Sequence, residues 1–195
     1  MPCDTHIAAG ATFNDTTWNF DYTTDAQGRP NHAVNTAGLR LPQNPPPRGT
    51  CPTRVGNFTE NWGGQTMGGA DFHGGHLIGR QFGGVGYRYN LVPQLAVKIN
   101  GANGLYFEME STARRCLMAG ATIDPGGYRI DVDYFQPTTV IPVNTVFPED
   151  FRVHLDITHG PDRATVDATI FWDPEFADAL EFRNQLSNAV HDANC

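Results

Sequence analysis

The chain has 195 residues, with 21 acidic against 13 basic side chains and a net charge of −8. That length fits one domain over 1–195. Twelve of the bases are arginine and only Lys98 is lysine, which excludes a polybasic coat that would hold nucleic acid or anionic lipid by bulk charge.

No apolar run approaches the roughly 20 residues of a membrane span, so no membrane partner is expected. The opening MPCDTHIAAG lacks the basic and apolar regions of a signal peptide.

Residues 12–24 (TFNDTTWNFDYTT) alternate Trp18, Phe20 and Tyr22 with Asn19 and Asp21, the period of a strand. Asp25 to Pro30 reads as a turn, and 31–41 as the returning arm of a hairpin. Residues 42–66, with Pro42, Pro45, Pro46, Pro47 and Pro52, read as a loop that Cys51 would pin. Residues 67–90 hold eight glycines, a density that permits close approach of backbones.

From Gln94 to Met118 the period becomes helical, carried by Leu95, Val97, Leu105, Phe107, Met109 and Leu117. Gly101 and Gly104 weaken its first turns, and Pro125-Gly126-Gly127 stops it. Four strands are expected next, over Tyr128–Phe135, Thr138–Val146, Arg152–Ile157 and Ala164–Trp172, with a turn at Gly160-Pro161-Asp162. Asp173-Pro174 then starts a C-terminal helix, with Pro174 in its first turn and apolar positions Phe176, Leu180 and Leu186. The order of elements gives an α+β domain.

Cys3, Cys51, Cys116 and Cys195 show no CxxC spacing, so a zinc ribbon is not expected. An even count allows two disulfides. The favoured pairing is Cys3–Cys51 with Cys116–Cys195, against four unpaired thiols as the alternative.

Histidines and acids concentrate at Asp71-Phe72-His73-Gly74-Gly75-His76. Three readings compete. His73 and His76 could be zinc ligands in an HxxH arrangement, with Asp71 or Glu60 as a third. His76 could be a general base, because imidazole titrates near neutral pH. Or His76 could be structural, with Asp71 and His73 in a surface turn.

The run Gly74-Gly-His76-Leu-Ile-Gly-Arg80-Gln-Phe-Gly-Gly84 is followed by Asn90-Leu-Val-Pro-Gln94, then by Asn100 and Glu108-Met-Glu110. This series resembles the bacterial DNA/RNA non-specific endonucleases of the ββα-metal (His-Me finger) superfamily. It is most similar to the GGH branch found as secreted or polymorphic toxin domains. The likeness is strong over about 67–115, within an expected catalytic core of about 67–118, and weaker on both sides.

The resemblance implies a ββα-metal core in which a hairpin holds His76 and packs on a helix carrying the metal ligand, with flanking antiparallel strands and a C-terminal helix. It implies metal-dependent hydrolysis of phosphodiester bonds in DNA or RNA. His76 is the implied general base, with Asn90 a candidate to set its tautomer. Asn100, opening the helix, is the implied ligand to Mg²⁺, or to Mn²⁺ or another divalent cation. Helix N-cap is the structural alternative for Asn100.

Where better-known members carry DRGH, this chain has Gly74 in place of the arginine. Arg80, or else Arg88, must then meet the phosphate. The family's Asn-x-Gly-Ala-Trp reads here as Asn100-Gly-Ala-Asn103-Gly-Leu-Tyr106, which makes Asn103 a rival ligand. Either Glu108 or Glu110 is the helix acid, and Asn90 and Gln94 bridge the loop to the helix.

The branch also implies a secreted or delivered effector and a cognate immunity protein. The alternatives are a catalytically inactive, nuclease-like binding module, motivated by the missing DRGH, and a zinc HxxH protein.

Overall fold

The computed structural model describes residues 7–47, 49–55, 72–135, 147–172 and 174–195. Eight strands lie among them: β1 (Thr12–Asp15), β2 (Phe20–Thr24), β3 (Pro30–Asn35), β4 (Phe72–His76), β5 (Leu91–Leu95), β6 (Tyr128–Tyr134), β7 (Pro148–His159) and β8 (Asp162–Phe171). Six form an antiparallel sheet in the order β1-β2-β3-β6-β7-β8, and β4 pairs antiparallel with β5 apart from it. Two helices follow the hairpin, α1 (Leu105–Met118) and α2 (Phe176–Asp192). The class is α+β, with antiparallel strands and a C-terminal helix.

Period-2 alternation builds the large sheet. Tyr128, Ile130, Val132 and Tyr134 of β6 point into the core, as do Phe151, Val153, Leu155 and Ile157 of β7. The intervening residues face solvent. Helix α1 covers the apolar face with Leu105, Tyr106, Met109, Ala113 and Cys116, all buried. The ring of Tyr106 meets that of Phe151 edge-on at 5.9 Å.

Several expectations change. The strand expected over 12–24 is a hairpin. Asp15 Oδ1 accepts the amides of Thr17 (3.0 Å) and Trp18 (3.2 Å), which folds the chain back, and Asn19 turns it with φ 61°. The third arm ends at Asn35. The loop expected over 42–66 contains a helical turn over 51–55. Strand β7 is longer than expected at both ends. The strand expected over Thr138–Val146 lies outside the described residues.

The largest change concerns Gln94 to Met118. Gln94 is not helical: it lies in β5 opposite His73. Pro93 cannot donate inside a helix, and pairing with β4 carries the strand to Leu95. A π-helical turn, Ala96–Asn100, follows, and the chain breaks over 101–104 before α1 begins. Asn100 therefore ends a turn rather than opening a helix, and Gly104 occupies the N-cap of α1. Val97 and Phe107, expected in the core, are 77% and 45% exposed.

In α2, Phe182, Leu186 and Ala189 turn inward while Leu180 turns out. Pro174 precedes the first turn, and the Asp178 carboxylate accepts the Glu175 amide at 3.3 Å.

Helix α2 and the three residues after it clamp α1 at both ends. Arg183 pairs with Glu108 at 2.8 Å near the start of α1, and a disulfide joins Cys116 to Cys195 near its end. Cys51 also stands in a disulfide; its expected pairing with Cys3 lies outside the described residues. Among the described residues no helix is long and apolar enough to cross a membrane.

Candidate active site

Strand β4 ends on His76, half-buried and opposite Leu91 of β5. Beyond it the chain turns through Ile78 and Gly79 into a 3₁₀ turn, Arg80–Phe82. Asn90 shapes this turn. Its Oδ1 accepts the Ile78 amide at 2.8 Å, and its Nδ2 donates to the carbonyls of Ile78 (3.0 Å) and Val85 (2.9 Å). The Asn90 side chain is thus committed to backbone and does not set the His76 tautomer.

The glycines explain how close the parts come. A Cβ on Gly75 would lie 1.9 Å from Gln94 Oε1 and 2.6 Å from Asn100 Nδ2. A Cβ on Gly79 would lie 2.1 Å from Glu110 Oε1. Glycine at these two positions lets both amides and the carboxylate settle against the His76 strand and its turn.

A cavity of about 360 Å³ results, lined by His76, Arg80, Gln94, Asn100 and Glu110, together with Pro45, Gly79, Gln81, Tyr106 and Phe107. Tyr106 ties α1 to the hairpin, its hydroxyl donating to the Leu77 carbonyl at 2.6 Å. Arg80 is exposed at the rim, where Nε donates to the Pro46 carbonyl. It carries no ion pair among the described residues. Burial pushes the Glu110 carboxyl up to about 8; Gln81 Nε2 approaches it at 3.5 Å.

These donors suit a hard divalent cation. Amide oxygens and a carboxylate are the ligands such ions prefer. Gln94, 1% exposed, keeps Nε2 without a hydrogen-bond partner among the described residues. Buried donors are normally satisfied; as an N–H donor this one suits an anion's oxygen and not the cation itself.

Other expected residues stay apart. Glu108 turns away to Arg183, and the exposed Asn103 gives its carbonyl to the same guanidinium at 3.2 Å. Neither lines the cavity. Arg88 is buried, donates to the Leu91 carbonyl and is also outside it.

His73 and His76, three apart on a strand, point to opposite faces, and His73 is exposed. That geometry does not assemble an HxxH zinc pair. Among the described residues no three His, Cys, Asp or Glu side chains converge as a metal cluster.

A larger cavity, about 480 Å³, opens on the solvent side of β6–β8 beside α2. Its Arg129 and Arg152 are outnumbered by Asp131, Asp167, Asp178 and Glu181, and it holds none of the expected residues. Its charge suits a polyanion poorly, despite its size.

Sequence reasoning missed Gln81, Tyr106 and Phe107. Gln81 has no spacing signal, Phe107 read as an ordinary core position, and Tyr106 entered only as the end of the Asn100–Tyr106 motif.

No curated protein matches the chain. Compared with known protein families, residues 11–143 match the DNA/RNA non-specific endonucleases. The match runs from β1 past β6 and takes in every residue of the 360 Å³ cavity. β7, β8 and α2 lie beyond it. With more than half its length matched, and the cavity inside the match, the chain belongs to the DNA/RNA non-specific endonuclease family, a family of phosphodiester hydrolases that generally depend on a divalent metal.

Proposed function

We propose that this protein is a metal-dependent endonuclease that cuts DNA and RNA without sequence preference, and that 1–195 is one nuclease domain. The observation that carries this reading is convergence. His76, Arg80, Gln94, Asn100 and Glu110 come from five separate elements to one cavity.

His76 accepts the proton of the attacking water on an imidazole nitrogen. Arg80 binds non-bridging oxygens of the scissile phosphate, its planar fork suited to that geometry. Asn100 and the substrate phosphate would hold the divalent cation, Mg²⁺ by preference and Mn²⁺ as a substitute. Bound there, the ion supplies positive charge against the charge developing on phosphorus oxygens and the leaving 3′-oxygen. Gln94 offers its Nε2 proton to a phosphate oxygen. Glu110 holds Gln81 and fixes the floor of the cavity against Gly79.

We further read the chain as a secreted or delivered effector of the GGH branch, kept in check in the producing cell by an immunity protein. The Cys116–Cys195 disulfide supports that reading, because such bonds persist in oxidising compartments.

The test is incubation with plasmid DNA and with RNA, in Mg²⁺ or in EDTA, beside His76→Ala. Both nucleic acids should be degraded, only with metal and only by wild type. Wild type that leaves both intact under every divalent metal tried would contradict the reading and favour a binding module.

A further inference from the structure

The helix that closes the catalytic cavity carries a second stripe. Phe107, Ser111, Arg114, Arg115 and Met118 recur at helical spacing along the side of α1 away from the core, a run of about 16 Å at the α-helical rise. With Gln81 they line a groove of about 470 Å³.

Gln81 and Phe107 line this groove and the catalytic cavity alike, so the two are continuous. Phe107 is 45% and Met118 65% exposed, unusual for residues so apolar. Among the described residues no acidic side chain lines the groove. Neither Arg114 nor Arg115 carries an ion pair among the described residues, whereas Arg129, Arg152, Arg163 and Arg183 are each matched by a carboxylate.

We propose that this groove is the track of a single nucleic-acid strand leaving the catalytic cavity, so that single-stranded DNA or RNA is held in preference to duplex. The proposal rests on the nuclease reading of the adjoining cavity. Charge complementarity names the occupant: two unmatched guanidiniums beside a phosphodiester site suit the next phosphates of the same strand.

The aromatic ring selects the strand state. Phe107 can stack on a base only where the base shows its face, and paired bases in a duplex keep their faces stacked on one another. An arginine-and-phenylalanine groove is the combination that tracks a single strand without reading sequence.

Binding is measured by fluorescence anisotropy in a His76→Ala background with Mg²⁺, so that no cleavage intervenes. The probes are labelled dodecathymidylate, dodecauridylate and a DNA duplex of equal length. The two single strands should bind more tightly than the duplex, and their ratio reports the preferred sugar.

Adding Phe107→Leu should weaken single-strand binding about tenfold, within the range for loss of one base–aromatic stack, while Phe107→Trp retains it. Arg115→Gln should lower the dependence of log affinity on log salt by about 0.7, one phosphate contact to a single strand. Arg163→Gln, paired on the far sheet, should change neither.

Equal affinity for single strand and duplex would overturn the proposal. So would absence of binding, or Phe107→Leu and Arg115→Gln behaving like their parent. Failure of the nuclease reading shows separately, as wild type that cleaves nothing.

Discussion

The solvent side of β6–β8 and the outer side of α1 both carry arginines, and they use them in opposite ways. On the sheet, Arg129 faces Asp131 at 3.3 Å, Arg152 faces Asp133 at 2.9 Å, and Arg163 is paired with Asp156. Histidines follow suit, His32 with Asp131 and His154 with Asp167, each at 2.6 Å. Around α1, Arg80, Arg114 and Arg115 have no carboxylate partner among the described residues. A net charge of −8 is therefore a poor guide to where an anion can sit. Matched pairs cancel the positive field of the sheet, whereas Arg80 lines the candidate cavity and Arg114 and Arg115 line the groove that adjoins it. Exposed pairs stabilise the fold little; their consequence is a weaker pull of the sheet on anions.

The sharpest contrast is between two histidines. His76→Ala should lower phosphodiesterase activity by about 10²- to 10⁴-fold, the usual contribution of a general base. His154→Ala, on the sheet, should leave the rate unchanged in the same plasmid assay. Comparable losses from both would erase the distinction between the two regions.

The α1 side also depends on its clamp. Cys195→Ser opens a bond that closes 79 residues of chain. It should cost about 4 kcal/mol of stability by chain-entropy reasoning, read by denaturant unfolding. A smaller loss would mean that the Arg183–Glu108 pair and the packing of α2 suffice.

Carboxylates divide in the same way. His32 donates to Asp131 and holds it below the usual carboxylate range, so its stabilisation is present at neutral pH and lost as pH falls through that lowered value. Burial pushes Glu110 from 4.5 up to about 8. Folding then favours its protonated form, and that advantage is lost as pH rises towards 8. In metal-free protein, Glu110→Gln should melt above wild type at pH 8, with the difference closing near pH 4.5. A difference that does not change with pH would contradict the burial argument. The smallest effect belongs to Arg152→Gln: an exposed pair, so less than about 1 kcal/mol in thermal unfolding.

Much of the candidate site's lining was legible because its residues sit in short blocks. His76, Arg80, Gln94 and Asn100 all lie in or beside the glycine-rich run and the Asn90–Gln94 block, and the cavity gathers all four. The choices left open were those that helical arithmetic could not resolve. Counting Asn100 to Glu108 or Glu110 assumes one continuous helix. A π-helical turn and a break over 101–104 intervene, so the phase is lost, and Glu110 rather than Glu108 lines the cavity. Asn103 falls in the break and faces solvent. Phe107 read as core because apolar residues in a helix usually are, and nothing local says that this one sits over a groove. The hairpin at 12–24 was hidden for a similar reason: period 2 runs through a turn that Asp15 closes with its side chain.

The most direct test compares one arginine from each region. The salt dependence of single-strand binding is measured in a His76→Ala background, with Arg80→Gln or Arg152→Gln added. Arg80→Gln should lower the slope of log affinity against log salt by about 0.7, one phosphate contact, and Arg152→Gln should leave it unchanged. Equal loss from both, or loss from Arg152→Gln alone, would contradict the claim that the unmatched arginines beside the cavity hold the substrate.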